Sequence, residues 1–183
     1  MFNKYVCIIM LFMCGCGQHK QPVCINPQSV GILRHNDHII GTAFATNNNT
    51  IITARHVLPS DTLNNLFINN YAIHIRNYNK FGYDAASICV DHIPFELSRI
   101  PVDNYIRRGM DIVIIGYAVD NGVARYQIKR GKILTRIATS ALIEPGMSGS
   151  PVINVSNGKV VAVAYSFIPD LGVTEIIPMG ELK

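Results

Sequence analysis

Residues 144–151 read "EPGMSGSP" and lie directly before the apolar pair Val152-Ile153. The stretch places two glycines, two serines and two prolines in eight positions, a composition typical of a tight turn that leads into a strand. A turn explains the glycines and prolines, but it does not require a serine, Ser148, between them. The pattern therefore fits two roles, a plain turn or a loop that presents a nucleophile.

The same stretch has the composition of a loop that binds an oxyanion. Gly146 can adopt backbone dihedral angles that other residues resist, so the chain can curl until the N–H groups of Gly146 and Ser148 point into one concavity. Two such donors are what a developing oxyanion requires. Gly149 leaves space beside the serine hydroxyl, and Pro151 restricts the chain where the next strand begins. Ser148 is therefore a candidate nucleophile, although its hydroxyl needs a base to become reactive.

Six histidines could supply that base, and one of them has a distinctive context. His56 follows the apolar run "TIITA", so we expect its imidazole at the rim of a core, on a rigid element and within reach of solvent. A purely structural histidine is the alternative at this position. We expect surface or structural roles for the others, which lie in the polar N-terminal segment or on predicted strands: His19, His35, His38, His74 and His92.

A histidine base works best when a carboxylate orients its ring, and Asp84 is the best-placed candidate. In "FGYDAASICV" this residue follows a turn-rich stretch and is the last polar residue before the interior of a predicted strand. A carboxylate in that position can be buried against a histidine, or it can simply cap the start of the strand. Six further aspartates lie in turns or at strand starts and are less well placed: Asp37, Asp61, Asp91, Asp103, Asp111 and Asp120.

Short apolar runs separated by turn residues continue along the whole chain from residue 30. They predict strands at 30–35, 38–46, 50–54, 66–69, 71–76, 85–90, 111–118, 123–129, 131–138, 151–155, 159–167 and 173–177. Turns are predicted at 47–49, 69–70, 77–82, 120–122 and 156–158, and Asn157-Gly158 is a strong hairpin signal. Helical turns are expected only near 54–60 and 181–183. The pattern is that of an all-β barrel or sandwich, with residues 91–110 as a connector between two halves.

The first residues have the pattern of an export signal. Lys4 precedes "YVCIIMLFMC", and the small residues Gly15 and Gly17 follow that apolar run. The run is shorter than the roughly 20 residues that a permanent membrane helix needs. Three fates remain open: lipid attachment at Cys16, cleavage by an ordinary signal peptidase, or an uncleaved anchor. Each predicts an exported protein, in the cell envelope or secreted, with membrane attachment through the N-terminus in the first and third cases.

Export would permit a disulfide between the two cysteines that lie beyond this segment, Cys24 and Cys89. Spacing alone does not establish the bond. Because Cys89 lies inside an apolar run, a small core residue is the expected role.

Composition excludes several classes of protein. Hydrophobic residues make up 49% of the 183 residues and charged residues 15%, so the chain is not disordered. The net charge is +4, and the basic residues are scattered apart from a modest cluster at 125–136. That cluster fits a solvated strand edge or a phosphate-binding face. No motif of nucleic-acid recognition accompanies it, so we expect no nucleic-acid partner.

The candidate residues occur in the order His56, Asp84, Ser148, and at these positions the sequence resembles the chymotrypsin-like serine proteases, especially the bacterial Deg/HtrA-type protease domain. "TARHVL" resembles the family motif T-A-x-H-x-[LV], "YDAASI" is similar to D-[IL]-A-[LV]-[LI], and "EPGMSGSPVIN" resembles P-G-N-S-G-G-P-L-x-N. The flanking stretches "GTAFAT", "GMDIVIIGYAV" and "NGKVVAVAYSF" resemble family strands as well. The resemblance covers residues 30–178.

Two positions depart from the family pattern. Ser150 stands where the family usually has a second glycine, and its hydroxyl could crowd the backbone near Ser148. Met147 replaces the usual Asp or Asn. The chain also ends soon after the last predicted strand, so we expect no peptide-binding PDZ module.

The resemblance implies two six-stranded antiparallel β-barrels with the active site in the cleft between them. The implied organisation is a signal or anchor at 1–16, a tether at 17–28 and a protease domain at 29–183, divided into barrel one (29–92), a connector (93–110) and barrel two (111–178). The domain would be a serine endopeptidase acting on proteins or peptides, and its oligomeric state is not predicted.

The resemblance also implies a role for each candidate. His56 would be the general base, Asp84 would orient it, and Ser148 would be the nucleophile. The amides of Gly146 and Ser148, with Met147 as a third candidate, would form the oxyanion hole. No metal or organic cofactor is implied.

Substrate selection in this family implies a pocket lined by residues 139–143 and 164–167, which here include Ala164, Tyr165 and Ser166. Leu142 falls at the position of the pocket base, where an aspartate would select Lys or Arg. We therefore expect a preference for small or medium apolar side chains.

Three other interpretations stay open. The first is a protease-shaped protein without activity that holds peptides in its cleft. The second is a viral or phage processing protease, which would share the chemistry but not the export. The third is an unrelated exported β-sandwich in which the motifs are coincidental.

Overall fold

The structure is a computed structural model that describes residues 26–59, 65–81, 83–94 and 97–182. The predicted export signal at 1–16, the lipid site at Cys16 and most of the tether lie outside the described residues. Cys24 lies outside them too, and the thiol of Cys89 is free. Within the described ranges, no helix is long and apolar enough to cross a membrane.

The first half of the described chain forms one curled antiparallel sheet. Its strand order is β5-β4-β1-β2-β3-β7-β6. The strands are β1 (Val30–His35), β2 (His38–Ala45), β3 (Thr50–Ala54), β4 (Leu66–Ile68), β5 (Tyr71–Ala72), β6 (Ile75–Phe81) and β7 (Ala85–Val90). β5 and β6 are close in sequence but form opposite edges of the sheet, one paired with β4 and the other with β7. The sheet therefore curls so that its two edges approach each other, as in a barrel.

The second half forms a closed barrel of six strands in the order β10-β13-β12-β11-β8-β9. The strands are β8 (Asp111–Asp120), β9 (Val123–Thr135), β10 (Ala138–Thr139), β11 (Pro151–Asn154), β12 (Val160–Ile168) and β13 (Val173–Pro178). Short 3₁₀ turns occupy Pro27–Ser29, Arg55–Val57, Pro169–Leu171 and Met179–Glu181. The all-β, two-barrel prediction is confirmed, with the first barrel present as a curled sheet.

The strand predictions are largely confirmed, and two errors have physical causes. Residues 77–82 were expected to form a turn, but β6 continues to Phe81 because its backbone pairs with β7 while its polar side chains face solvent. A break was expected between 129 and 131, but β9 is continuous. Gly131 lies within it because a Cβ there would fall 2.4 Å from the backbone N of Ala141.

Three apolar clusters organise the interior. One fills the closed barrel around Ile114, Val152 and Met147, and another lies inside the curled sheet around Leu33 and Ile88. The third combines both halves, and its buried members include Phe44 and Ile52 from the curled sheet and Ile115 and Val163 from the barrel. Because this third cluster is buried between the halves, burial of apolar surface fixes their relative position.

The connector between the halves is tied to both of them. The amide of Ile100 donates to the carbonyl of Ala45 in the curled sheet (2.9 Å), and the amide of Val160 in the barrel donates to the carbonyl of Pro101 (2.8 Å). These backbone hydrogen bonds attach the connector to both halves, so it is not a free linker.

Segment 144–151 packs against the curled sheet, and Gly149 is at the tightest contact. Its φ is +91°, and a Cβ there would lie 2.1 Å from the carbonyl oxygen of Thr42 and 2.4 Å from Oγ1 of Thr53. Both atoms belong to the first half, so the absence of a side chain at Gly149 allows the two halves to meet at this point.

Ser150, the departure from the family pattern, is accommodated by a second glycine. Its side chain is fully buried, and its Oγ lies only 2.0 Å from the position that a Cβ of Gly116 would take. The hydroxyl therefore occupies the space left by Gly116 on β8 and does not crowd the backbone beside Ser148. This Oγ is one of the two buried side-chain polar atoms in the described chain without a hydrogen-bond partner.

We predict that Gly149→Ala destabilises the protein by about 3 kcal/mol or more, because a left-handed conformation and an overpacked contact add together. Chemical denaturation measures the change. Gly122→Ala is the matched control, since Gly122 also has a left-handed φ (+77°) but a Cβ there meets nothing within 4 Å. The control should lose only about 1 to 2 kcal/mol. Equal losses for the two variants would contradict the packing argument.

Candidate active site

Strand pairing brings His56 and Asp84 together. β3 pairs with β7 so that Ala54 lies opposite Ala85, which places the residues that follow β3 beside those that precede β7. The amide of Arg55 donates to the carbonyl of Asp84 (2.9 Å) and closes this end of the strand pair. Val57 is buried and anchors the 3₁₀ turn, while the His56 side chain remains 49% exposed. The imidazole therefore lies at the rim of the core, as predicted.

Both oxygens of the Asp84 carboxylate bind His56. Oδ1 accepts the backbone N–H of His56 (2.8 Å), and Oδ2 binds the ring Nδ1. An ionised carboxylate can only accept, so the proton of this bond belongs to Nδ1. In the neutral ring, Nε2 is then the acceptor. The Asp84 side chain is 18% exposed, so the carboxylate is shielded from most of the solvent.

Ser148 lies on the opposite half of the molecule and is partly buried. Its Oγ donates to the backbone oxygen of Tyr165 at 3.0 Å. Within the described chain no hydrogen bond joins Ser148 to His56. The hydroxyl must leave the Tyr165 carbonyl before it can donate to an imidazole, and rotation about the Cα–Cβ bond is the simplest way to do so.

Two successive turns shape the loop around Ser148. The amide of Met147 donates to the carbonyl of Glu144 (3.0 Å), and Gly146 has φ +89°. A positive φ at the third residue, after Pro145, is the pattern of a type II turn. The amide of Ser150 then donates to the carbonyl of Met147 (3.0 Å), and a second positive-φ glycine lies in the equivalent place. The glycines that flank Ser148 are therefore required by the backbone.

The amides of Gly146 and Ser148 are the free donors of this loop. The carbonyl of Pro145 accepts the amide of Val119 (2.8 Å), and the carbonyl of Met147 accepts that of Ser150. In a trans peptide the N–H points away from the carbonyl, so the amides of Gly146 and Ser148 point away from these bonds. Neither has an acceptor among the described residues. The Met147 amide is already engaged in the first turn.

Thr42 on β2 holds this loop in place, and sequence reasoning missed it. Its amide donates to the carbonyl of Ser148 (2.9 Å), and its Oγ1 donates to the carbonyl of Gly146 (2.9 Å). The same Oγ1 accepts the amide of Tyr117 (3.0 Å). Thr42 is fully buried. Its position in "GTAFAT" carried the resemblance, but nothing local to that stretch indicated which carbonyls it would bind.

The residues expected to line a specificity pocket are not equivalent. Leu142 is 41% exposed, whereas Ala164 is fully buried. Both backbone groups of Ala164 are engaged, since its amide donates to Ser150 (2.9 Å) and its carbonyl accepts the amide of Gly149 (2.8 Å). Ala164 therefore supports the serine loop from behind and has no free backbone group for a substrate.

Tyr165 occupies a bulge of β12, between Ala164, which pairs with Ile176, and Ser166, which pairs with Glu175. Its side chain packs against the apolar cluster of the curled sheet, so this one residue contacts both halves. Burial, and after it the nearby Glu175 carboxylate, raises the pKa of the Tyr165 phenol to about 12. The phenol is thus a neutral group at neutral pH.

In the described ranges no group of three or more His, Cys, Asp or Glu side chains is arranged to hold a metal ion. The groups brought together at the candidate site are an imidazole, a carboxylate, a hydroxyl and backbone amides.

Solved structures share this architecture. The inactive form of the protease Rv3671c from M. tuberculosis matches with a TM-score of 0.69 at 20% identity, over 85% of this chain and 86% of that chain. Its active form matches with a TM-score of 0.62 at 20% identity, over 85% and 78%. Human heparin binding protein matches with a TM-score of 0.69 at 10% identity, over 88% and 92%. At these identities the likeness concerns the fold.

A search of the curated proteins finds no match to this sequence. The family model described as "Trypsin-like peptidase domain" matches residues 41–163, which is more than half of the chain and includes all three candidate residues. The chain belongs to the trypsin-like peptidase domain family.

Proposed function

We propose that the protein is a serine endopeptidase in which Ser148 is the nucleophile, His56 the general base and Asp84 its orienting carboxylate. The observation that carries the proposal is the double contact of Asp84 with His56, through the backbone N–H and through Nδ1. An imidazole held in this way exposes Nε2 as a proton acceptor, which is the requirement for activating a serine.

The proposed reaction begins when the Ser148 hydroxyl leaves the Tyr165 carbonyl and donates to Nε2 of His56. Oγ then attacks the peptide carbonyl carbon, a C–O bond forms, and the proton passes to Nε2. The carbonyl π electrons move to oxygen, and the resulting oxyanion accepts hydrogen bonds from the amides of Gly146 and Ser148. Collapse of this intermediate breaks the C–N bond, and the imidazolium gives its proton to the leaving amine.

The second half of the proposed reaction repeats these steps with water. Water replaces the amine, His56 takes its proton, and the oxygen attacks the acyl-enzyme carbonyl. The C–O bond to Ser148 then breaks, and the imidazolium returns a proton to Oγ. Asp84 remains ionised throughout and stabilises the imidazolium.

The fixed loop supports the oxyanion role of the two amides. Their peptide planes are held through Pro145 and Met147, and Thr42 binds the carbonyls of Gly146 and Ser148. Donors held before the reaction need no reorganisation when negative charge develops. Removing one such donor typically costs on the order of 10² to 10³ in kcat.

For the side chain that precedes the cleaved bond we propose an apolar preference. The exposed apolar side chains Leu142 and Phe167, at 41% and 39%, support it. The backbone N–H of Ile143 donates to Oγ1 of the buried Thr174 (3.0 Å), which ties segment 139–143 to β13 close to where Phe167 pairs with Thr174.

A second candidate function is a peptide-binding protein without activity. The hydrogen bond from Ser148 to the Tyr165 carbonyl favours it, because a hydroxyl held there is not presented to a base. Covalent labelling distinguishes the two functions, since a binding protein has no activated serine.

We predict that a fluorophosphonate probe labels the protein at Ser148 and that Ser148→Ala abolishes both labelling and casein hydrolysis, because the reactive oxygen is lost. Intact-mass measurement detects the adduct. The control is Ser156→Ala, since the Ser156 hydroxyl bonds to Asn154 in a hairpin of the second half. Unchanged casein hydrolysis by Ser148→Ala would overturn the assignment of the nucleophile, and failure of the unmodified protein to label would favour the binding function.

We predict that Asp84→Asn lowers kcat for a peptide substrate on the order of 10⁴-fold, because an amide no longer fixes the required tautomer of His56. Asp91→Asn is the matched control, since Asp84 directly precedes β7 and Asp91 directly follows it, where it pairs with Arg76. Steady-state kinetics should show a large loss of kcat only for the first variant. Similar kcat values for both variants would remove Asp84 from the proposed mechanism.

We predict that digestion of a peptide library shows cleavage mainly after small or medium apolar residues, because the proposed pocket offers apolar side chains. Mass spectrometry of the products identifies the cleaved bonds. Dominant cleavage after Lys or Arg would be inconsistent with Leu142 at the pocket base.

A further inference from the structure

A cleft of about 390 Å³ opens beside the His56–Asp84 pair. One wall is the 3₁₀ turn that carries Arg55 and His56, and the other is formed by Tyr78 and Lys80 of β6 together with Tyr83 and Asp84. Since His56 is part of the wall, anything bound in the cleft lies next to the imidazole.

The cleft carries positive charge. Arg55 and Lys80 both line it and are exposed, and neither makes an ion pair with a carboxylate in the part of the chain that the structure describes. The carboxylate in the lining is that of Asp84, which is 18% exposed and bound to His56. Two cations therefore face one shielded anion, so the described lining favours a negatively charged ligand.

Aromatic rings flank these cations. Tyr78 and Lys80 are two residues apart on β6 and so point to the same face. The Nζ of Lys80 lies 5.5 Å from the centroid of the Tyr78 ring, close enough for a cation–π contact that holds the ammonium in the cleft. Tyr83 at the rim is 87% exposed. Exposed tyrosines beside a charged cleft are typical of a contact surface, since the ring supplies apolar area and the hydroxyl a polar tip.

We infer that this cleft is a substrate subsite that takes an acidic side chain, aspartate or glutamate, of a peptide whose scissile bond lies beside His56. The inference rests on the proposed proteolytic function. An extended chain advances about 3.3 Å per residue, so a cleft next to the imidazole receives a side chain within about three residues of the cleaved bond. Lys80 and Arg55 supply the charge, and Tyr78 and Tyr83 contact the aliphatic part of the side chain.

The test uses peptides in matched pairs that carry either Glu or Gln at one position, varied over the three positions on each side of a good cleavage site. The measurement is the Glu/Gln ratio of kcat/KM, which cancels effects on folding and on the fraction of active enzyme. One position should show a ratio of about five to ten at low ionic strength, as expected for partly exposed ion pairs to two cations. The ratio should fall toward one in 0.5 M NaCl because salt screens exposed charges.

Variants locate the effect. Lys80→Gln should bring the ratio closer to one, and Lys80→Glu should reverse the preference so that Gln is favoured. The matched control is Arg76→Gln, which removes a positive charge from the same strand but outside the lining of the cleft. Its ratio should remain that of the unmodified protein.

Three results overturn the inference, and they show whether the proposed protease falls with it. Peptide hydrolysis with a ratio near one at all six positions, or a ratio that Arg76→Gln lowers as much as Lys80→Gln, rejects the acidic subsite and leaves the proposed protease. Absence of both turnover and fluorophosphonate labelling rejects the protease and the subsite together.

Discussion

The contact between Thr42 and the serine loop is the interaction on which the candidate site depends. A single buried threonine of the curled sheet binds the carbonyls of Gly146 and Ser148, which belong to the closed barrel. These bonds fix the peptides that follow Gly146 and Ser148, while the amides of Gly146 and Ser148 are held through the bonded carbonyls of Pro145 and Met147. A buried hydrogen-bond network of this kind is costly to break, since each unpaired group would remain desolvated. The two halves are therefore aligned by polar bonds as well as by their shared apolar cluster.

Space is as restrictive as hydrogen bonding at this junction. Gly149 leaves no side chain between the loop and Thr42, and Gly116 leaves the volume that the Ser150 side chain occupies. The hydroxyl at position 150 is therefore tolerated because of a glycine on another strand. The same crowding explains why this hydroxyl has no partner: it fills a space shaped for a small group, next to a threonine whose Oγ1 already binds two backbone groups.

The three candidate side chains differ in whether their hydrogen bonds already fit the proposed reaction. The imidazole and the carboxylate are already paired through two contacts, and two amides of the serine loop are free, but the serine hydroxyl is bound to the Tyr165 carbonyl. Tyr165 also packs into the first half, so the strand that holds the resting hydroxyl is anchored across the cleft. Under the proposed function, rotation of the Ser148 side chain about its Cα–Cβ bond would move the hydroxyl from the Tyr165 carbonyl toward His56.

The sequence by itself determined most of the strands and a tight turn around Ser148, and it indicated the three residues of the proposed chemistry, because alternation, glycine placement and short motifs are local properties. It also indicated that His56 would lie at a core rim. It could not show that polar residues 77–81 form an edge strand, that β9 crosses Gly131 without a break, or that Thr42 holds the serine loop. Nor could it show that the Met147 amide would donate its hydrogen bond within a turn, or that Arg55 and Lys80 would line one cleft. Those features depend on which strands pair and on which atoms meet across the two halves, and such long-range contacts exist only once the chain has folded.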